Sequence, residues 1–171
     1  LGAQQVVEPG RRVELLVAAD GLWSALRSQV LADTPPSATG HVAYRAMLPQ
    51  VELPEHLRSA VVTVWLGPRF HAVTYPVRGG SSLNAVVVVH GTGGVAPQSW
   101  SEPASLDTIL AGLEGAAPTL HDMVRAMGSW QSWALFDRPP LRSAAQMGAG
   151  RIALVGDAAH PMRPYLAQGG G

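Results

Sequence analysis

The chain has 171 residues, of which 47% are hydrophobic and 14% charged, and its formal net charge is zero. That composition allows a sizeable buried core and argues against disorder, while the lack of a basic excess argues against a partner held through nucleic-acid phosphates. With no cysteine, disulfides, thiolate metal sites and cysteine nucleophiles are excluded.

No apolar run approaches the roughly 20 residues of a membrane span, and no signal peptide opens the sequence. A soluble, cytoplasmic protein is the expectation. All twelve cations are arginine, which reads as genome composition together with the richness in Ala, Gly and Pro. The ends look cut, at Leu1 and at Gly169-Gly170-Gly171, so the chain is expected to be an internal piece.

Val13 to Ala19 is a short apolar run closing in Asp20-Gly21, the pattern of a buried strand entering a turn. Leu22, Ala25, Leu26, Val30 and Leu31 follow at helical spacing, with Asp20 placed to cap the helix and Pro35-Pro36 to end it. The texture then changes. Val42–Leu48, Val61–Leu66, His71–Val77 and Leu83–His90 are β-rich runs separated by Gly67-Pro68-Arg69 and Arg78-Gly79-Gly80, which predicts an antiparallel meander. Helical stretches are expected between Leu106 and Met127, and a further strand over Trp130–Phe136. Arg151–Val155 is a second buried strand, ending in Gly156-Asp157. Two α/β ends therefore flank an antiparallel, α+β insertion, with expected boundaries at 1–40, 41–140 and 141–171.

The strongest chemical signal is the stretch Gly156-Asp157-Ala158-Ala159-His160-Pro161-Met162-Arg163-Pro164-Tyr165-Leu166-Ala167-Gln168-Gly169. An aspartate at the carboxyl end of a parallel strand lies where α/β sheets bind ligands, and its carboxylate can accept from ribityl or ribose hydroxyls. Ala158 and Ala159 suit close approach of a flat cofactor. Gln168-Gly169-Gly170 would open a helix whose free N–H groups favour negative charge on a reduced ring.

This stretch closely resembles the GD motif of the class A flavoprotein monooxygenases, related to salicylate and 3-hydroxybenzoate hydroxylases. Leu16-Val17-Ala18-Ala19-Asp20-Gly21-Leu22-Trp23-Ser24-Ala25-Leu26-Arg27 resembles the same family's DG motif, and Asp137-Arg138-Pro139-Pro140-Leu141 resembles a hallmark of the salicylate branch. Tyr44-Arg45-Ala46-Met47-Leu48-Pro49 and the segment from Val64 to Gly80 look like the substrate-domain strands of that branch. The resemblance implies part of a Rossmann-like FAD-binding domain plus an antiparallel-sheet substrate domain, the fold of p-hydroxybenzoate hydroxylase. It implies FAD as cofactor, NADH or NADPH as cosubstrate, and hydroxylation of a small aromatic acid by O2. Asp157, Asp20, Gly156, Gly169, Gly170 and Arg27 are the implied cofactor residues.

On a strand, positions 71, 73 and 75 share a face, and four residues span about 13 Å. His71 and Tyr75 are thereby able to converge on opposite ends of a small aromatic acid. In the family branch, a histidine and a tyrosine at this spacing contact substrate, which implies His71 as proton acceptor for the ring hydroxyl. Tyr75, Val73 and Pro164 are the implied substrate contacts, and Gln168 is placed to touch flavin and substrate. His41, His56, His90 and His121 show no metal-ligand spacing, so no metal is expected. Ser24 lies in no G-x-S-x-G elbow.

The family's N-terminal G-x-G-x-x-G has no counterpart here, since Gly91-Thr92-Gly93-Gly94 has the wrong spacing, and the C-terminal helices are also missing. A non-catalytic truncated remnant, or a related FAD-dependent reductase or dehydrogenase, stands as the alternative.

Overall fold

A computed structural model describes residues 13–91 and 102–164. In chain order its elements are β1 (Leu16–Ala18), α1 (Arg27–Val30), β2 (Ser37–Pro49), β3 (Thr63–Leu66), β4 (Phe70–Val77), β5 (Ser82–His90), β6 (Glu102–Ala104), α2 (Leu106–Ala111), α3 (Pro118–Ala126), β7 (Trp130–Asp137), β8 (Gly148–Ala149) and β9 (Ile152–Leu154). A single 3-10 turn, Gly156–Ala158, follows β9. The chain divides into two compact units, Leu1–Ala38 with Phe136–Gly171, and Thr39–Leu135.

The first unit holds a three-stranded sheet in the order β1-β9-β8. β1 and β9 run parallel, with Leu16 opposite Ile152 and Ala18 opposite Leu154. The parallel pairing agrees with two apolar runs, but the runs are not the fully buried strands expected of them. Leu15 and Val17 are 60% and 51% exposed, and only Ala18 and Leu154 are buried, because in this three-stranded sheet the described residues cover one face alone. Ala18, Leu154 and Ala159 form its small core, with Leu26, Val30 and Leu141 packed around them.

The second unit is built on a six-stranded sheet in the order β3-β4-β5-β2-β7-β6. The alternation is plain on β4, where Phe70, Ala72 and Thr74 are buried while His71, Val73 and Tyr75 are half-buried. Phe70 and Ala72 join Tyr44, Val87 and Val89 in a core that α2 and α3 close with Ile109, Leu120 and Val124. Amphipathic helices thus cover one face of the meander, and the odd positions of β4 lie on the other. The β4–β5 connection takes positive φ at Arg78 (54°), Gly79 (66°) and Gly80 (89°), a left-handed run that the two glycines adopt readily and Arg78 only at a cost.

Two expectations need correction. The helix predicted over residues 22–31 is only the four residues Arg27–Val30. Side chains take the amides that an earlier helical turn would have left unpaired: Ala25 and Leu26 donate to Asp20 Oδ2 at 3.0 and 3.4 Å, and Arg27 donates to Ser24 Oγ at 2.9 Å. These contacts hold two turns in place before the helix starts. β2 is longer than the apolar run that predicts it, because backbone pairing with β5 continues through His41 and His90. The segment Gln168–Gly170, expected to open a helix, lies outside the described residues.

Candidate functional site

In the first unit, Asp20 and Asp157 both follow the carboxyl ends of neighbouring parallel strands, β1 and β9. Val155 N donates to Ala18 O at 3.0 Å, so the pairing continues one step past β9 before the chain turns. Gly156 makes that turn at φ 55°, and its carbonyl accepts from Ala159 and His160 N, each at 2.9 Å. Asp157 is left exposed, and no described residue bonds or pairs with its carboxylate.

Asp20 is used differently. Burial works to raise its pKa, but hydrogen bonds from the Ser24 side chain and from backbone amides, Leu26 and Ala25 among them, hold it below the ordinary carboxylate value. One oxygen, Oδ2, caps the following turn, whereas the other, Oδ1, is buried with no partner among the described residues. An ionised oxygen left dry is costly unless a donor reaches it.

Arg27, expected as a cofactor residue, is 1% exposed. Its Nε donates to Asp33 at 2.5 Å, one terminal nitrogen to the carbonyls of Ala158 and Ala159, and the other to Pro139 O at 3.1 Å. A guanidinium has five N–H donors in a fixed fork, and here that fork ties the helix after β1 to the turn after β9. Arg27 therefore positions the Asp157 turn from behind and offers no surface of its own. Ala158 and Ala159 are likewise completely buried, so their small size serves packing inside the unit.

Sequence reasoning missed Arg138. It is buried, donates to Leu22 O at 2.7 Å and Thr34 O at 3.1 Å, and lies 3.5 Å from Asp33. Its signal was present in the Asp137-Arg138-Pro139-Pro140-Leu141 hallmark, to which no role had been given. Asp137 in turn pairs with Arg163 Nε at 3.1 Å, fixing the segment that leads to Pro164. Pro164 is exposed and is the last residue described.

In the second unit the register places His71 opposite Val88, Val73 opposite Val86, and Tyr75 opposite Asn84. These residues share the sheet face turned away from α2 and α3. Burial pushes the His71 pKa down, and the neighbouring charges of His90 and His41 push it further in the same direction. Both effects favour the neutral imidazole, the form that accepts a proton. The His41 and His90 rings lie 4.2 Å apart, tilted by 50°, at the same end of the face. Among the described residues no group of three histidines or acids is arranged to hold a metal ion. No described helix is long and apolar enough to cross a membrane. Of the expected site residues, Asp20 and Asp157 are brought together in one unit and His71, Val73 and Tyr75 in the other. Gln168, Gly169 and Gly170 lie outside the described residues.

A family model described as FAD binding domain matches residues 8–170. The chain belongs to this family. Among related FAD-domain proteins, 3-hydroxybenzoate 6-hydroxylase 1 of Aquipseudomonas alcaligenes is 37% identical over 155 residues, covering 91% of this chain and 38% of its own length. A salicylate hydroxylase solved as a substrate complex matches with TM-score 0.77 at 30% identity, over 92% of this chain and 42% of that one. HpxO of Klebsiella pneumoniae, solved with FAD and uric acid, matches with TM-score 0.69 at 29% identity, over 91% and 39%. The chain thus spans well under half the length of the relatives it matches.

Proposed function

We propose that these residues form part of an FAD-dependent monooxygenase that hydroxylates a small aromatic acid, using NADH or NADPH and O2. The observation that carries the reading is the half-buried row of His71, Val73 and Tyr75 on the helix-free face of the substrate-unit sheet, in a chain of the FAD-domain family. Relatives named for 3-hydroxybenzoate and salicylate point to the same substrate class.

The residues present suit FAD. Asp157 offers an exposed carboxylate with no partner among the described residues, at a strand end where ribityl or ribose hydroxyls can donate to it. Asp20 Oδ1 is a buried acceptor one strand away. When bound, FAD supplies the two electrons, taken from NAD(P)H, that activate O2. This chain's own part is to bind, orient and deprotonate. His71 accepts the proton of the ring hydroxyl at a ring nitrogen, which makes the aromatic ring electron-rich, and Tyr75 positions the ring at the other end. One oxygen atom enters the ring and the other leaves as water.

His71→Asn tests the assignment in a full-length, FAD-loaded polypeptide carrying these residues. Removing a general base typically costs about 10²–10⁴-fold, so hydroxylation should slow while flavin reduction is unaffected. Product formed per NAD(P)H consumed should fall, with H2O2 making up the difference. Because the His71 pKa is lowered from 6.5, the wild-type acid limb should lie below that value and vanish in the variant. Unchanged coupling with an unmoved pH profile would leave His71 as a structural strand residue.

A further inference from the structure

The face that carries His71 and Tyr75 also carries a pairing of residues distant in sequence. Following the register across β3, β4, β5 and β2, this face presents Val64 and Leu66, then His71, Val73 and Tyr75, then Asn84, Val86, Val88 and His90, and finally His41, Ala43, Arg45 and Met47. Over these four strands the face presents no aspartate or glutamate and one arginine, Arg45, while the three histidines gather at the His41–His90 end, where the Arg69 guanidinium reaches His90 O at 3.4 Å.

Arg45 is held in a particular way. Its Nε donates to Asn84 Oδ1 at 2.8 Å, which leaves the two terminal nitrogens without a hydrogen bond or ion pair among the described residues. Asn84 is fully buried, yet its Nδ2 has no hydrogen-bond partner among the described residues. An orphaned buried amide donor is expensive, and natural sites with such a group usually complete it with a ligand or water. Since Oδ1 is turned to Arg45, Nδ2 is the group left for another acceptor. Tyr75 is the direct cross-strand neighbour of Asn84, within the roughly 5 Å typical of such pairs. A guanidinium edge, an amide N–H and a tyrosine thus lie together on a face with no competing acid. That set of donors matches a planar carboxylate.

We propose that Arg45 and Asn84 form the carboxylate-binding end of the substrate site, with Tyr75 beside them and His71 at the hydroxyl end. This assignment rests on reading the sheet face as the substrate surface. On this assignment the ring lies with its hydroxyl toward the histidines, because the acid group is fixed at the far end of the face.

The test uses the full-length, FAD-loaded protein and four probes: 3-hydroxybenzoate, salicylate and the neutral carboxamide of each. Wild-type protein should bind at least one acid about tenfold or more tightly than its amide. Arg45→Met should weaken that acid by about 10- to 100-fold and leave the amide within about twofold, so the preference collapses. Asn84→Asp keeps an acceptor for Arg45 Nε while removing the N–H donor and placing a negative charge beside the site. It should also lose the acid selectively, with FAD content unchanged. If either folded variant keeps the acid-over-amide preference, or weakens both ligands equally, the assignment is wrong while the substrate-surface reading stands. If wild-type protein binds neither acids nor amides, both fail together.

Discussion

A guanidinium excluded from solvent must find oxygen for its N–H groups, and Arg27 finds four acceptors, three of them main-chain carbonyls. Its loss would leave Asp33 and the Ala158 and Ala159 carbonyls under-satisfied in a closed interior. Breaking a buried pair from one side costs about 3–5 kcal/mol. Arg138, 3.5 Å from Asp33, offsets part of that charge, so Arg27→Met is expected at the low end, about 3 kcal/mol. Denaturant unfolding of apoprotein measures it, and a shift below about 1 kcal/mol would contradict the positioning role. The contrast with Asp157 is instructive. Both residues stand in motifs whose pattern names them, but pattern alone does not separate an exposed side chain from one that holds the turn behind it. That distinction depends on which carbonyls surround the guanidinium, and those come from Pro139, Ala158 and Ala159, more than a hundred residues away in sequence.

Among the elements, strands were the most legible. The run His71–Val77 becomes β4 with one added residue, and Trp130–Phe136 becomes β7 likewise, because alternation fixes both the existence of a strand and its faces. The helix after Asp20 was the least legible. Apolar spacing there suits a helix, yet Ser24 and Asp20 satisfy the same amides locally, and local side-chain bonds outcompete the helical ladder. Packing between elements was not legible at all. At the end of α2, a Cβ built on Gly112 would lie 2.6 Å from Val89 Cγ1 and 2.7 Å from Cγ2, on the core face of β5. The helix reaches the sheet this closely only through a glycine. Gly112→Ala should destabilise by about 1–3 kcal/mol through overpacking, and Gly112→Ala combined with Val89→Ala should recover part of that loss. A double-mutant cycle in denaturant with no coupling between the two positions would refute the contact.

For the molecule as a whole, the resemblance of the two flanking motifs pointed to an FAD-domain protein, and the family match over residues 8–170 agrees. The row His71, Val73, Tyr75 was visible as a strand face. The Arg45–Asn84 pair was not, because it joins residues 39 positions apart through a register that no single segment encodes. The whole account turns on one claim, that a full-length protein carrying these residues transfers an atom of O2 to an aromatic acid. The direct measurement is a single-substrate turnover under 18O2, with FAD, NADH or NADPH, and 3-hydroxybenzoate or salicylate, analysed by mass spectrometry. The account predicts a hydroxylated acid carrying one 18O per turnover and none from water. NAD(P)H oxidation that yields only H2O2 with every aromatic acid offered, or a hydroxyl oxygen drawn from solvent, would contradict it.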